Sequence, residues 1–339
     1  MATRTLKAAV LGTGNMARMH VRNFLKHAET ELVALCARTE ASANDFLNTV
    51  ELPAAPAVYT DFDRMLAETA GLDVLFVCLP PFAHEGQVVQ AAEKGLHLFL
   101  EKPIALSEAD AEAMASAIER AGITSQVCYQ FRFRKATQRM LALLRSGEAG
   151  RPTLYEGRFW VNMLAKPWWQ NFQMSGGQLF EQLIHLYDLG MAFCGPVREV
   201  SARVANLTHT DQPDYTIEDT SLGQLLFENG ALGNISGTNS AIRERYIGDY
   251  RLVCENVTLQ TRSSGDWREA DRATLHFAPE QVEEIVEDAD AHSATMDDFV
   301  NALRAGGPTQ APARTGLESV RLTRRALESA AQGGAPLKI

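Results

Sequence analysis

The chain has few cysteines, no long apolar run and no basic tract, and each shortfall removes a class of function. Its five cysteines (Cys36, Cys78, Cys128, Cys194 and Cys254) are odd in number, widely spaced and form no Cys-x-x-Cys pair. Neither a disulfide framework nor a thiolate metal knuckle is expected, and they read as reduced core thiols of a cytoplasmic protein. No stretch of about 18 apolar residues occurs, so no membrane partner is expected. The opening Met-Ala-Thr-Arg-Thr-Leu-Lys leads straight into a strand-like run without the apolar segment of a secretion signal. Lysine and arginine number 32 against 42 aspartates and glutamates, a formal charge of −10. With no basic run to offset it, nucleic acid is excluded as an expected partner. Internal repeats and low-complexity segments are missing too.

What remains is an ordinary globular composition, 46% hydrophobic and 22% charged over 339 residues, with room for two domains. Short apolar runs at 6–11, 32–36, 74–79, 96–100 and 123–128 alternate with amphipathic segments, the pattern of an α/β Rossmann domain with a doubly wound parallel sheet. Ser107 followed by Asp110 starts the best-marked helix and Gly122 ends it. Past residue 128 the pattern changes to a helix at 136–145, strands at 153–161, 197–206, 219–227, 231–239, 249–254 and 256–261, and one strong helix at 179–193. Glu228-Asn229-Gly230 reads as a hairpin turn, and helices at 292–304 and 314–331 close the chain. The expected division is a dinucleotide-binding domain at 1–128 and, at 129–339, an α+β substrate-binding and oligomerisation domain with a large, mostly antiparallel open sheet.

Three places carry chemistry. The first is Gly12-Thr13-Gly14-Asn15-Met16-Ala17, a Gly-x-Gly-x-x-Ala turn between a strand and a helix. There, backbone N–H groups can hold a pyrophosphate. The second strand ends in Arg38-Thr39 where an acidic residue would bind a free ribose hydroxyl, so NADP(H) is favoured as cofactor, with NAD(H) possible. Leu79-Pro80 and a following Pro81 close the next strand, as a simple stop and also as a wall of the cofactor cleft, and His84, opening the helix beyond, is a candidate contact to ribose or pyrophosphate with a purely structural role as the alternative.

The second place is Gly95 to Pro103, an apolar strand that ends in Glu101-Lys102-Pro103 at the edge where open α/β sheets bind ligands. Oxidising an alcohol moves a hydride and also releases a proton, so the site needs a base and a group to stabilise the developing alkoxide. Lys102 supplies the positive charge. The third place is Ser175 to Asp188, where Glu181 and His185 stand at i and i+4 of a helix with Asp188 three residues further on. Without a cysteine or a second histidine motif these make a poor metal cage, and no metal is expected. Tyr129 and Arg132 at the domain junction offer polar groups to a polyhydroxylated substrate or to the nicotinamide amide. Trp168, in the loop 162–177, offers an apolar face to a sugar, with core packing as the alternative.

In order and spacing these motifs resemble the glucose-fructose oxidoreductase / inositol dehydrogenase / rhizopine catabolism (Gfo/Idh/MocA) family over nearly the whole chain. The resemblance implies that Lys102 contacts nicotinamide and substrate, that His185 exchanges the proton and that Glu181 positions it. It also implies pairing of subunits through the second-domain sheet, as a homodimer or homotetramer. The expected activity is NAD(P)-dependent hydride transfer to or from a hydroxyl-bearing carbon of a sugar, cyclitol or related polyol. The alternatives are a glycoside hydrolase that borrows the dinucleotide and a non-catalytic NADP-binding sensor.

Overall fold

The computed structural model describes residues 4–162, 166–241, 243–266 and 269–339. The chain folds as two compact units, one of residues 1–128 and 292–317, the other of 129–291 and 318–339. The units are not contiguous in sequence, because residues 292–317 cluster with the first.

The first unit alternates β1 (Leu6–Leu11), α1 (Asn15–Leu25), β2 (Thr30–Cys36), α2 (Glu40–Thr49), β3 (Ala57–Tyr59), α3 (Phe62–Glu68), β4 (Val74–Val77), α4 (Gln87–Glu93), β5 (His97–Leu100), α5 (Glu108–Ala121) and β6 (Ser125–Val127). Its six strands pair in parallel in the order β3-β2-β1-β4-β5-β6. The order reverses direction between β1 and β4, and ligands of such sheets bind outside the carboxyl ends of the strands at that point. The central strands carry Ala8 to Val10, Val74 to Val77 and Leu98 to Leu100 fully buried, as a sheet covered on both faces requires.

Residues 292–317 join this unit for a physical reason. Phe299, on α10 (Ala291–Ala305), meets Phe99 edge to face at 5.5 Å and extends a row that runs through Phe76 to Phe24. The Val127 N–H on edge strand β6 donates to the Ala311 carbonyl at 2.7 Å, and Arg314 pairs with Glu112 and Glu119 on α5.

The second unit contains α6 (Lys135–Ser146), β7 (Pro152–Val161), α7 (Phe172–Ser175), α8 (Gln178–Glu181), α9 (Ile184–Cys194), β8 (Val197–Ala205), β9 (Thr220–Phe227), β10 (Leu232–Thr238), β11 (Tyr246–Cys254), β12 (Thr258–Arg262), β13 (Asp271–Ala278) and β14 (Gln281–Glu287). It ends with most of α11 (Ala313–Ala331) and with β15 (Leu337–Lys338). Nine strands form one sheet in the order β14-β13-β12-β11-β7-β10-β9-β8-β15, in which β7 with β10 is the one parallel pair among the described strands. Alternate residues such as Tyr155, Phe159, Leu225, Ile235, Tyr250, Leu252 and Leu275 point into the core. The expected hairpin joins β9 to β10, with Gly230 at φ +88°. All five cysteines are free, Cys78 half-buried and the others buried.

The helix expected at 179–193 is two helices. The Leu183 N–H reaches back five residues to the Gln178 carbonyl at 3.3 Å, and the Leu186 N–H then bonds the Leu183 carbonyl at 2.8 Å. This wide turn followed by a tight one breaks the ladder between Glu181 and His185.

Candidate active site

In the first unit the glycine turn is built by close approach. Gly12 has φ +100°, and a Cβ there would lie 2.6 Å from the Cys78 carbonyl oxygen, so no other residue fits without moving β4. The Gly12 N–H donates to the Cys36 carbonyl, and the Cys78 N–H to the Leu11 carbonyl, both at 2.9 Å. Gly14 then starts α1 without a side-chain cap, and the first turn contains no acid. The first N–H groups of that helix, at Asn15 and Met16, point out with the positive end of the helix dipole. Gly14 and Asn15 are exposed and Thr13 and Met16 partly so, and this uncapped turn at the sheet's reversal point fits the pyrophosphate of a dinucleotide.

Arg38 is exposed just past the carboxyl end of β2. Thr39, expected beside it as a phosphate contact, is instead the N-cap of α2. Its hydroxyl accepts from Ser42 N–H at 3.2 Å while its own N–H donates to the Ser42 hydroxyl at 3.3 Å. Leu79 and Pro80 follow β4, which ends at Val77, two residues before the expected end. His84 does not open a helix, because α4 begins three residues later, at Gln87, and His84 closes a 3-10 turn over Pro81–Ala83. Burial lowers its pKa to about 4, so it is neutral near pH 7 and offers no charge to a phosphate.

The Glu101-Lys102 corner follows β5 and is pinned to the neighbouring strand by the Glu101 N–H, which donates to the Val77 carbonyl at 3.0 Å. The Lys102–Pro103 peptide is cis. Glu101 is buried and hydrogen-bonded to His20 on α1. Burial pushes its carboxyl up, but the His20 hydrogen bond and charge outweigh that and leave it below the usual carboxylate range. Its two carboxylate oxygens are engaged by His20 and by the Lys102 backbone N–H. With Cys128 these two residues place three metal-type ligand atoms within 4.8 Å of one another. The His20 and Glu101 atoms bond each other, however, and burial drives the Cys128 thiol well up in pKa, which disfavours the thiolate a metal needs.

In the second unit His185 is buried at the start of α9, its ring edge-on to Tyr129 at 6.0 Å and against Phe131 at 5.6 Å. Glu181 ends α8 and accepts from the indole N–H of Trp169. The tryptophan that reaches the acid is therefore Trp169, while Trp168 is half-exposed beside it. Residues 163–165 of the loop expected to face substrate lie outside the described residues. Arg132 differs from expectation: it is committed to fully buried Asp188, Nε to Oδ2 at 2.7 Å and Nη2 to Oδ1 at 2.8 Å. A carboxylate buried that deeply requires its counter-charge, which the guanidinium supplies through Nε and Nη2. Tyr129 is 1% exposed, and burial drives its hydroxyl pKa up.

The sequence reading missed Glu218. Gly177, with φ +101°, begins α8, and a Cβ there would meet the Glu218 carboxylate at 2.7 Å. That carboxylate accepts from the Leu179 N–H at 2.6 Å, capping the turn that carries Glu181. Two consecutive acids, Glu218-Asp219, at the start of an apolar strand were the available signal.

The family model "Oxidoreductase family, NAD-binding Rossmann fold" matches residues 6–129, and the "GFO/IDH/MocA C-terminal domain" matches 137–260; the chain belongs to this family of NAD(P)-binding oxidoreductases. Among curated relatives, scyllo-inositol 2-dehydrogenase (NAD(+)) of Bacillus subtilis is 25% identical over 72% of this chain and 71% of its own length. D-xylose 1-dehydrogenase (NADP(+)) 2 of Haloferax volcanii is 24% identical over 96% and 98%. Among solved structures, levoglucosan dehydrogenase in complex with NADH and L-sorbose superposes with a TM-score of 0.88 at 17% identity, covering 99% of each chain. The aldose-aldose oxidoreductase of Caulobacter crescentus gives 0.84 at 22%, covering 99% of this chain and 100% of its own.

Burial raises the Glu218 pKa from 4.5 to about 7, more than its backbone N–H bonds lower it. The folded chain then binds this proton more tightly than the unfolded chain, so the associated stability is complete below about pH 4.5 and is lost as the pH rises through about 7. Glu218→Gln does not titrate. In urea unfolding, its stability relative to the natural chain should rise by ~2–3 kcal/mol between pH 5 and pH 8; a difference independent of pH would refute the assignment.

Proposed function

We propose that this protein oxidises a hydroxyl-bearing carbon of a sugar, cyclitol or related polyol, or reduces the corresponding carbonyl, with NADP(H) as the favoured dinucleotide. The observation that carries this reading is the first unit's carboxyl edge, where the uncapped glycine turn after β1 and Lys102 after β5 flank β4 on its two sides. Lys102 supplies positive charge to the substrate oxygen as it becomes an alkoxide. His185, in the second unit, takes the hydroxyl proton, and Glu181 orients its imidazole. The dinucleotide, when bound, accepts the hydride. Substrates named for relatives, among them scyllo-inositol, D-xylose and levoglucosan, support the polyol class.

Lys102→Met and His185→Ala should each lower kcat by ~10²–10⁴ while NADPH still binds, measured by fluorescence titration and steady-state oxidation of a polyol and aldose panel. Normal turnover in either variant refutes the role of that residue. Conversion of a glycoside without net NADPH formation would replace the reading with a hydrolytic one.

The NADP(H) preference rests on exposed Arg38 and on the missing acid after β2. Losing one charge-assisted contact costs about 1.5–3 kcal/mol. Arg38→Ala should accordingly weaken NADPH binding by ~10-fold or more and leave NADH within about twofold; equal effects on both would remove the preference.

The outward sheet face of the second unit offers the surface for subunit pairing. Leu154, Leu232 and Leu226 stand opposite one another on adjacent strands, with Leu154 and Leu232 exposed at 37% and 56% and Leu222 at 54%. Light scattering should find a dimer or tetramer in the natural chain and a smaller species for Leu232→Asp. A monomeric natural chain would contradict the proposal.

A further inference from the structure

His20 lies on the core face of α1 with Ala17, Val21 and Phe24, fully buried, its ring 4.7 Å from that of Phe99. An apolar side chain would fill this space without the desolvation cost of an imidazole. What the histidine adds is one hydrogen bond, from Nε2 to Glu101 Oε1. The other carboxylate oxygen, Oε2, accepts the backbone N–H of Lys102 at 3.2 Å. Glu101 therefore receives two donors from opposite sides: a side chain on the helix whose N-terminus is free to hold an anion, and the main chain of the lysine itself. Only a carboxylate accepts on both sides. An amide in the same place has one acceptor oxygen and would turn its NH2 toward one of the two donors. The lowered pKa of Glu101 favours the ionised carboxylate, which can accept on both oxygens.

We propose that His20 is a positioning residue that acts through Glu101 to fix the main chain at Lys102 relative to α1, so that the helix holding the dinucleotide's phosphates and the lysine facing its substrate move as one body. The inference rests on the function proposed above for Lys102. It assigns to the α1 histidine a role that packing alone would not require.

The test uses His20→Phe, which keeps an aromatic ring and removes the donor, His20→Gln, which restores one, and Glu101→Gln. Hydrogen exchange of the unliganded protein reads the Lys102 amide directly: it should exchange at least ~10-fold faster in His20→Phe and Glu101→Gln than in the natural chain, with His20→Gln in between. In turnover, His20→Phe and Glu101→Gln should each lose ~10–100-fold in kcat, with the NADPH dissociation constant changed less than about threefold. The double variant should be no worse than the poorer single one, because both remove the same link. Unchanged Lys102 exchange in His20→Phe, or losses in kcat that multiply in the double variant, would overturn the proposal. Should His20→Phe fail to fold, the same readings on Glu101→Gln and His20→Gln decide it. NADPH binding and turnover by the natural chain test the function separately, so failure of that reading is distinguished from failure of the link, which the exchange measurement reports without any cofactor.

Discussion

The contact on which the first unit depends is the one between Gly12 and the Cys78 carbonyl. Two parallel strands leave the sheet side by side where its order reverses, and the chain after β1 must turn across the end of β4 with no room for a side chain. That turn delivers α1 with its first N–H groups uncapped and outward. The same strand ends place Glu101 and Lys102 one strand further along, tied to β4 by backbone hydrogen bonding. A helix dipole, a buried carboxylate and a lysine are thus set by the geometry of adjacent strand ends, and the chemistry of this edge follows from the register of the sheet.

In the second unit charge is placed by burial. Asp188 and Arg132 satisfy each other inside the core, Glu218 holds the start of α8, and the aromatic rings of Tyr129 and Phe131 enclose His185. The break between α8 and α9 replaces one continuous helix by two segments, with Glu181 at the end of the first and His185 near the start of the second. A reading from i and i+4 spacing alone assumes a continuous ladder, and here one five-residue bond removes it.

Most of the fold was legible because its signals are local. The buried parallel strands are continuous apolar runs, β1 agreed in both its bounds, and Ser107, Gly122 and Gly230 marked caps and turns that the structure contains. Four strands escaped notice: β3 and β15 are three and two residues long, β14 reads Gln-Val-Glu-Glu-Ile-Val-Glu with no deeply buried position, and β13 buries only Ala273 and Leu275. The site was legible where a motif fixes the backbone, at Gly12 and Lys102. It was not legible where partners come from distant segments. Nothing near Arg132 announces Asp188, nothing near Gly177 announces Glu218, and nothing in α10 announces that Phe299 belongs beside Phe99.

That last pairing bears on synthesis. The ribosome releases residues 1–128 long before 292–317, yet Phe99 completes its packing only with Met296, Phe299 and Val300 of the later segment. The nascent first unit must wait, with an apolar flank uncovered, through the emergence of more than 160 further residues. A fragment cut at the end of β6 would retain the phosphate turn but not the lid over its own aromatic row. The dinucleotide half of this chain is therefore not a detachable module, and its maturation is scheduled by the carboxyl-terminal quarter.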